Sequence, residues 1–208
     1  MKTPQIWLLF VLLAFSQPAL SASESISILV LGDSLTAGYG LSAQDAFPAQ
    51  LEQRLNEKGY PVLVINAGVS GDTSAGGAAR LDWSLADYPD IVIVELGAND
   101  ALRGLSPQQT RTNLATILAR LREHNVRAIL TGMKAPRNLG EDYYNSFDSL
   151  YPDLAAEFNV AFYPFFLEGV AGRSDLNQAD GIHPTALGVR VIVDKMLPLV
   201  ETVLVKGF

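Results

Sequence analysis

Five short apolar runs, Ile28–Leu31, Val62–Ile65, Ile91–Leu96, Ala128–Leu130 and Val160–Tyr163, recur along the chain, and longer segments separate each from the next. Short runs of this kind, rich in β-branched residues and bounded by turn formers, are expected of strands buried on both faces. The segments between them carry helical periodicity. Leu114, Ile117, Leu118 and Leu121 form one apolar stripe, and Ser106-Pro107 opens that helix with a cap and a proline in its first turn. Phe47 to Lys58 and Tyr143 to Phe158 read as further helices, and Pro184 begins a last one running towards Val203. Strand and helix in alternation produce parallel strands joined by right-handed crossovers, with helices on both faces of the sheet. The expected fold is α/β: a three-layer α/β/α sandwich around a central five-stranded parallel sheet. No internal repeat, low-complexity tract or Pro/Gly linker divides it.

Ahead of the first strand, residues 1–22 read as a signal peptide. Lys2 supplies a positive start, Ile6 to Phe15 a nearly unbroken apolar core, and Ala19-Leu20-Ser21-Ala22 the small residues of a cleavage site. Cleavage after Ser21 places Ala19 at the −3 position, whereas cleavage after Ala22 places the bulkier Leu20 there; an uncleaved anchor is the alternative. The apolar run is shorter than the roughly 20 residues of an ordinary membrane span. The expectation is an exported protein, periplasmic or secreted, not stably inserted in a membrane, with residues 23–208 as one domain and a monomer as the assembly. A net charge of −7 and no Lys/Arg run argue against nucleic acid as a partner. The chain has no cysteine. That excludes disulfides, thiolate metal sites, a thiol nucleophile and a lipid-modified cysteine, so a nucleophile must be a hydroxyl, carboxylate or amine.

Ligands in open α/β sheets gather at the carboxyl ends of the strands, which directs attention to the loops there. The first strand runs into Gly32-Asp33-Ser34, placing the Ser34 hydroxyl one step past its end. A turn with a helix cap has the same composition. The second strand is followed by Asn66 to Gly77, a dozen residues with few large side chains. Such a loop can bring backbone N–H groups up to a developing oxyanion or cradle a phosphate, but no dinucleotide or P-loop pattern fits it. After the third strand comes Gly97-Ala98-Asn99-Asp100. The Asn99 amide is either a turn former or a neutral donor to negative charge. The chain has two histidines. His124 lies at the polar end of a helix, where a solvated or capping role is commoner. His183, in Asp180-Gly181-Ile182-His183-Pro184, is the better general base for Ser34. Asp180, three residues earlier, can orient its ring through a tight turn. A turn with Pro184 at the first helical position is a compatible structural account. Leu102, Leu105, Met133, Leu139, Phe165, Phe166 and Leu167 fall on or beside these loops, where they could face an acyl chain or simply pack the core; Leu102, Leu105, Met133, Pro136 and Phe166 are the residues expected to contact substrate.

Gly32-Asp33-Ser34-Leu35, the Gly71 loop, Gly97-Ala98-Asn99-Asp100 and Asp180-Gly181-Ile182-His183 together resemble the SGNH, or GDSL, hydrolase family. The similarity is greatest to its exported bacterial thioesterase, lysophospholipase and arylesterase branch, and it extends over nearly the whole chain after the leader. The resemblance implies a flavodoxin-like sheet and a serine ester hydrolase that acts through an acyl-enzyme on acyl esters and thioesters and needs no metal or cofactor. Carried onto this chain, it makes Ser34, His183 and Asp180 the catalytic triad, and the Ser34 N–H, the Gly71 N–H and the Asn99 amide the oxyanion hole. It also implies that 100–105 and 134–144, the latter including Pro136, border the substrate groove. Ala98 stands where that branch often has glycine, and a positive φ there would strain an alanine. Two other readings belong beside this one: a carbohydrate O-deacetylase and a non-catalytic acyl-lipid binding protein.

Overall fold

The computed structural model describes residues 25–206, so the expected signal peptide lies outside the described residues. Five strands form one sheet: β1 (Ile26–Gly32), β2 (Val62–Gly68), β3 (Ile91–Glu95), β4 (Arg127–Thr131) and β5 (Ala161–Tyr163). All neighbours pair parallel in the order β2-β1-β3-β4-β5. That order is the flavodoxin-like one, and it reverses direction between β1 and β3, which creates a crevice at their carboxyl ends. Ile28–Leu31 and Ile91–Val94 are almost wholly buried, as continuous apolar runs in a doubly covered sheet require.

Among the described residues seven α-helices flank the sheet: α1 (Ser34–Ala37), α2 (Phe47–Glu57), α3 (Ser74–Ser84), α4 (Ala98–Leu102), α5 (Pro107–Glu123), α6 (Glu141–Phe158) and α7 (Ala186–Lys206). α2 packs on α7, while α3, α5 and α6 pack in series. The expected stripe Leu114, Ile117, Leu118 and Leu121 is the buried face of α5. Ser106 occupies the N-cap position of α5 but makes no capping bond, because its hydroxyl is 3.0 Å from the Gln108 side-chain oxygen. None of the described helices is long and apolar enough to cross a membrane.

Two expectations are corrected. The small-residue stretch 66–77 is only partly loop: Thr73 caps α3 by accepting from the Gly76 N–H at 3.3 Å, and Ser74 to Gly77 are helical. Pro184 is not the first residue of the last helix. It pairs with Asn177 in an isolated antiparallel bridge, and α7 begins at Ala186, where the Thr185 hydroxyl accepts from the Gly188 N–H. The bridge holds the segment carrying Asp180 and His183 as a closed loop against the body of the protein.

Candidate active site

Ser34 opens α1 immediately after β1. The preceding residue, Asp33, is the N-cap, and its carboxylate accepts from the Leu35 N–H at 2.9 Å. The turn therefore presents the Ser34 side chain at the strand's carboxyl end, and Ser34 is 9% exposed, enough to meet a ligand. His183 Nε2 lies 2.9 Å from Ser34 Oγ across 149 positions of sequence. His183 Nδ1 lies 2.7 Å from Asp180 Oδ2, and the other Asp180 oxygen accepts the backbone N–H groups of Ile182 at 2.9 Å and His183 at 3.0 Å. Gly181, at φ 69°, lets the chain turn tightly enough for this three-residue closure. The side-chain bond from His183, helped by the two backbone N–H groups, holds the Asp180 carboxyl down at about 2. An ionised Asp180 fixes the ring with its Nδ1 protonated and Nε2 turned to the hydroxyl.

The remaining expected donors come from neighbouring strands. Gly71 lies in the β2–α3 loop. That loop is tied to β1 by the Val69 N–H on the Gly32 carbonyl at 3.0 Å, and to α4 by Arg103 Nη2 on the Gly71 carbonyl at 2.7 Å. Among the described residues the Ser34 and Gly71 N–H groups make no hydrogen bond within the protein. Asn99 lies in α4, after β3. Its Nδ2 donates to Asp33 Oδ2 at 3.0 Å and to the Asp72 carbonyl at 2.9 Å, so Asn99 links all three loops. Ala98 is unstrained. Gly97 takes the positive φ of 112° and Ala98 follows as the first residue of α4. Gly97 must be glycine for a second reason: a Cβ there would come 2.1 Å from the Tyr151 hydroxyl. His124 caps the carboxyl end of α5, which leads into the start of β4 and places it at the amino ends of the strands, away from Ser34.

A cavity of about 710 Å³ adjoins Ser34 and His183, large enough for a small-molecule ligand. Leu102, Met133, Pro136, Phe165 and Leu167 line it, together with Leu35 and Ile182. Phe166, expected to face substrate, instead points into the core. It is fully buried and packs edge-to-face on Phe47 at 5.1 Å, the side opposite to Phe165 and Leu167. Leu105 and Leu139 do not line the cavity either. Both are more than a third exposed, and Leu105 lies past the end of α4, where its carbonyl accepts from the Tyr143 hydroxyl at 2.7 Å.

Sequence reasoning missed Tyr39, whose ring covers the His183 imidazole at 4.5 Å with a 36° tilt. It also missed Gln178, whose amide donates to the Tyr39 carbonyl at 2.7 Å and the Pro184 carbonyl at 3.0 Å and so joins the serine loop to the histidine loop. Proximity in the Ser34 and His183 peptides was the one signal available for either.

A flavodoxin-like sheet brings hydroxyl, imidazole and carboxylate in series to its switch point beside an apolar cavity, and the proteins this chain resembles are named esterases and thioesterases, which makes it a carboxylic ester hydrolase. The profile of the GDSL-like lipase/acylhydrolase family matches residues 30–191. The chain is 41% identical over 179 residues to "Esterase TesA" of Pseudomonas aeruginosa, covering 86% of this chain and 89% of that protein. It is 42% identical over 191 residues to "Thioesterase 1/protease 1/lysophospholipase L1" of Escherichia coli K12, covering 91% and 88% respectively. The crystal structure of AlinE4, an SGNH-hydrolase family esterase, superposes with a TM-score of 0.74 at 48% identity, covering 88% of this chain and 99% of that one. The chain belongs to the GDSL-like lipase/acylhydrolase family.

Proposed function

We propose that this enzyme hydrolyses acyl esters and thioesters with medium-length apolar acyl groups through a covalent acyl-enzyme on Ser34. One observation carries the reading: the unbroken series Ser34 Oγ, His183 Nε2 at 2.9 Å, and His183 Nδ1 to Asp180 Oδ2 at 2.7 Å. Ser34 attacks the acyl carbonyl while His183 takes its proton, and the imidazolium so formed is stabilised by ionised Asp180. His183 then returns the proton to the departing alcohol or thiol, and water releases the acid by the same route. The Ser34 and Gly71 N–H groups and the Asn99 amide receive the oxyanion. The mechanism uses side chains and backbone alone, with no metal or cofactor.

The cavity lining favours an acyl chain over a sugar. Met133, Phe165, Leu102 and Leu167, with Leu35 and Ile182, make the lining predominantly apolar and offer methylene-sized contacts, although Asn99, Lys134, Arg137 and Asn177 also border it. The names of the relatives, which include esterase, thioesterase and lysophospholipase, support the same substrate classes. The composition of residues 1–22 supports export to the periplasm or beyond, with 23–208 acting as a single-domain enzyme. The test is hydrolysis of nitrophenyl esters and acyl-CoA thioesters of increasing chain length, with acetylated sugars assayed beside them, by wild type and S34A. The reading predicts a medium-chain maximum for wild type and a loss of at least about 10⁴-fold in S34A with the fold intact. Undiminished S34A turnover, or a strict preference for acetylated sugars, would overturn it.

A further inference from the structure

Two carboxyl groups beneath Ser34 take no part in the proton transfers above. Glu95 ends β3 directly opposite Gly32 in the register, Asp33 follows Gly32, and both are 0% exposed. The Asp33 N–H donates to Glu95 Oε2 at 3.3 Å, whereas Glu95 Oε1 is buried with no hydrogen-bond partner among the described residues. Gly32 leaves the space for this carboxyl, since a Cβ there would come 2.8 Å from Oε2 and 2.2 Å from Thr36 Oγ1. Asp33 divides its oxygens: Oδ1 accepts the Leu35 N–H at 2.9 Å, and Oδ2 accepts Asn99 Nδ2 at 3.0 Å. The second Asn99 hydrogen goes to the Asp72 carbonyl at 2.9 Å. The amide is therefore oriented from both sides, and the oxyanion must draw it from one of these two acceptors.

Two buried carboxylates in contact cannot both be ionised without a large penalty. Burial pushes both upward, Glu95 well above its ordinary range and Asp33 to about 6. Both Asp33 oxygens receive N–H donors, while one Glu95 oxygen receives none, so the charge rests on Asp33 and the proton on Glu95. The surrounding charged groups are accounted for. Arg80 donates to the Gly32 carbonyl at 2.9 Å and to the Asp72 carboxylate at 2.7 Å, Asp100 is held by Ser74 and Thr110, and His183 favours ionised Asp33.

We propose that Asp33 and Glu95, sharing a single proton, are positioning residues: Asp33 aims the Asn99 amide at the developing oxyanion, and neutral Glu95 holds Asp33 in place. This rests on the reading of Asn99 as an oxyanion donor, and the experiment separates the two claims. The whole enzyme is assayed on nitrophenyl butyrate for kcat and KM as N99A, D33N, the D33N/N99A double variant, E95A and E95Q.

An asparagine at 33 has one acceptor oxygen for two donors. D33N is therefore expected to lower kcat about tenfold or more with KM nearly unchanged, and to add nothing to the loss already present in N99A. E95A is expected to lose kcat similarly, and E95Q, with the shape of the neutral acid, to restore it. In the infrared spectrum at neutral pH, wild type should show a protonated-carboxyl band that E95Q lacks, a measurement that does not need D33N to fold. An unchanged kcat in N99A removes the oxyanion reading itself. A slow N99A with additive D33N, an E95Q as slow as E95A, or no protonated-carboxyl band in wild type overturns the pair.

Discussion

Ala98 begins α4 with an ordinary backbone because Gly97, directly before it, adopts the left-handed conformation. Ala98→Gly is therefore expected to lower stability by about 0.5–1 kcal/mol, since the glycine gains freedom in the unfolded chain and relieves no strain in the folded one. Chemical denaturation measures the difference, and a stabilising glycine would show that Ala98 is strained. At Asp180 the prediction concerns pH. Its folded pKa of about 2 lies below the ordinary 3.8, so this carboxylate's contribution to stability is present above the ordinary value and disappears as pH falls towards 2. D180N should lose that part of the acid sensitivity and lower kcat by about 10²–10⁴-fold at neutral pH. Urea midpoints between pH 5 and pH 2, read beside kcat, test both.

Among the elements, α5 illustrates what periodicity reveals. Its stripe at 114, 117, 118 and 121 is the buried face, and Leu118→Ala is expected to cost about 2–5 kcal/mol, measurable as a fall in the urea midpoint. The neighbouring α3 shows what periodicity hides. It packs so closely that a Cβ on Gly77 would come 2.3 Å from Leu96, so the helix carries alanine and glycine where an apolar stripe would announce it, and the segment reads as loop. Helix α7 starts two residues later than its proline suggests because Pro184 is engaged in the bridge to Asn177, a long-range pairing that no local pattern encodes. Ser34, His183, Asp180 and Asn99 stood out in the sequence because each is a reactive or donor type in a short peptide at a strand's end. Phe166 was misassigned because in 165–167 alternate side chains face opposite ways and only contact with Phe47 decides which are buried. Tyr39, Gln178 and Glu95 carried no such mark: their significance comes from neighbours 62 to 144 positions away, such as the 4.5 Å approach of Tyr39 to His183.

On the scale of the whole molecule, the order β2-β1-β3-β4-β5 gathers the loops after β1, β2 and β3 and the segment ahead of α7 at one rim, and the cavity opens beside them. Leu102, half exposed on α4 and lining that cavity, is placed to limit acyl length. Leu102→Trp is expected to reduce kcat/KM for dodecanoyl esters at least about fivefold relative to acetyl esters, as a loss of apolar contact of 1 kcal/mol or more requires. An equal effect on both esters would place the acyl chain elsewhere. The account as a whole depends on Ser34 being the atom that becomes acylated. Mass spectrometry after treatment with a fluorophosphonate tests this directly. The prediction is one phosphonyl group per chain, on the Ser34 peptide, formed in step with loss of activity and absent from S34A. Inactivation with the label on another residue, or full activity after Ser34 is labelled, would contradict it.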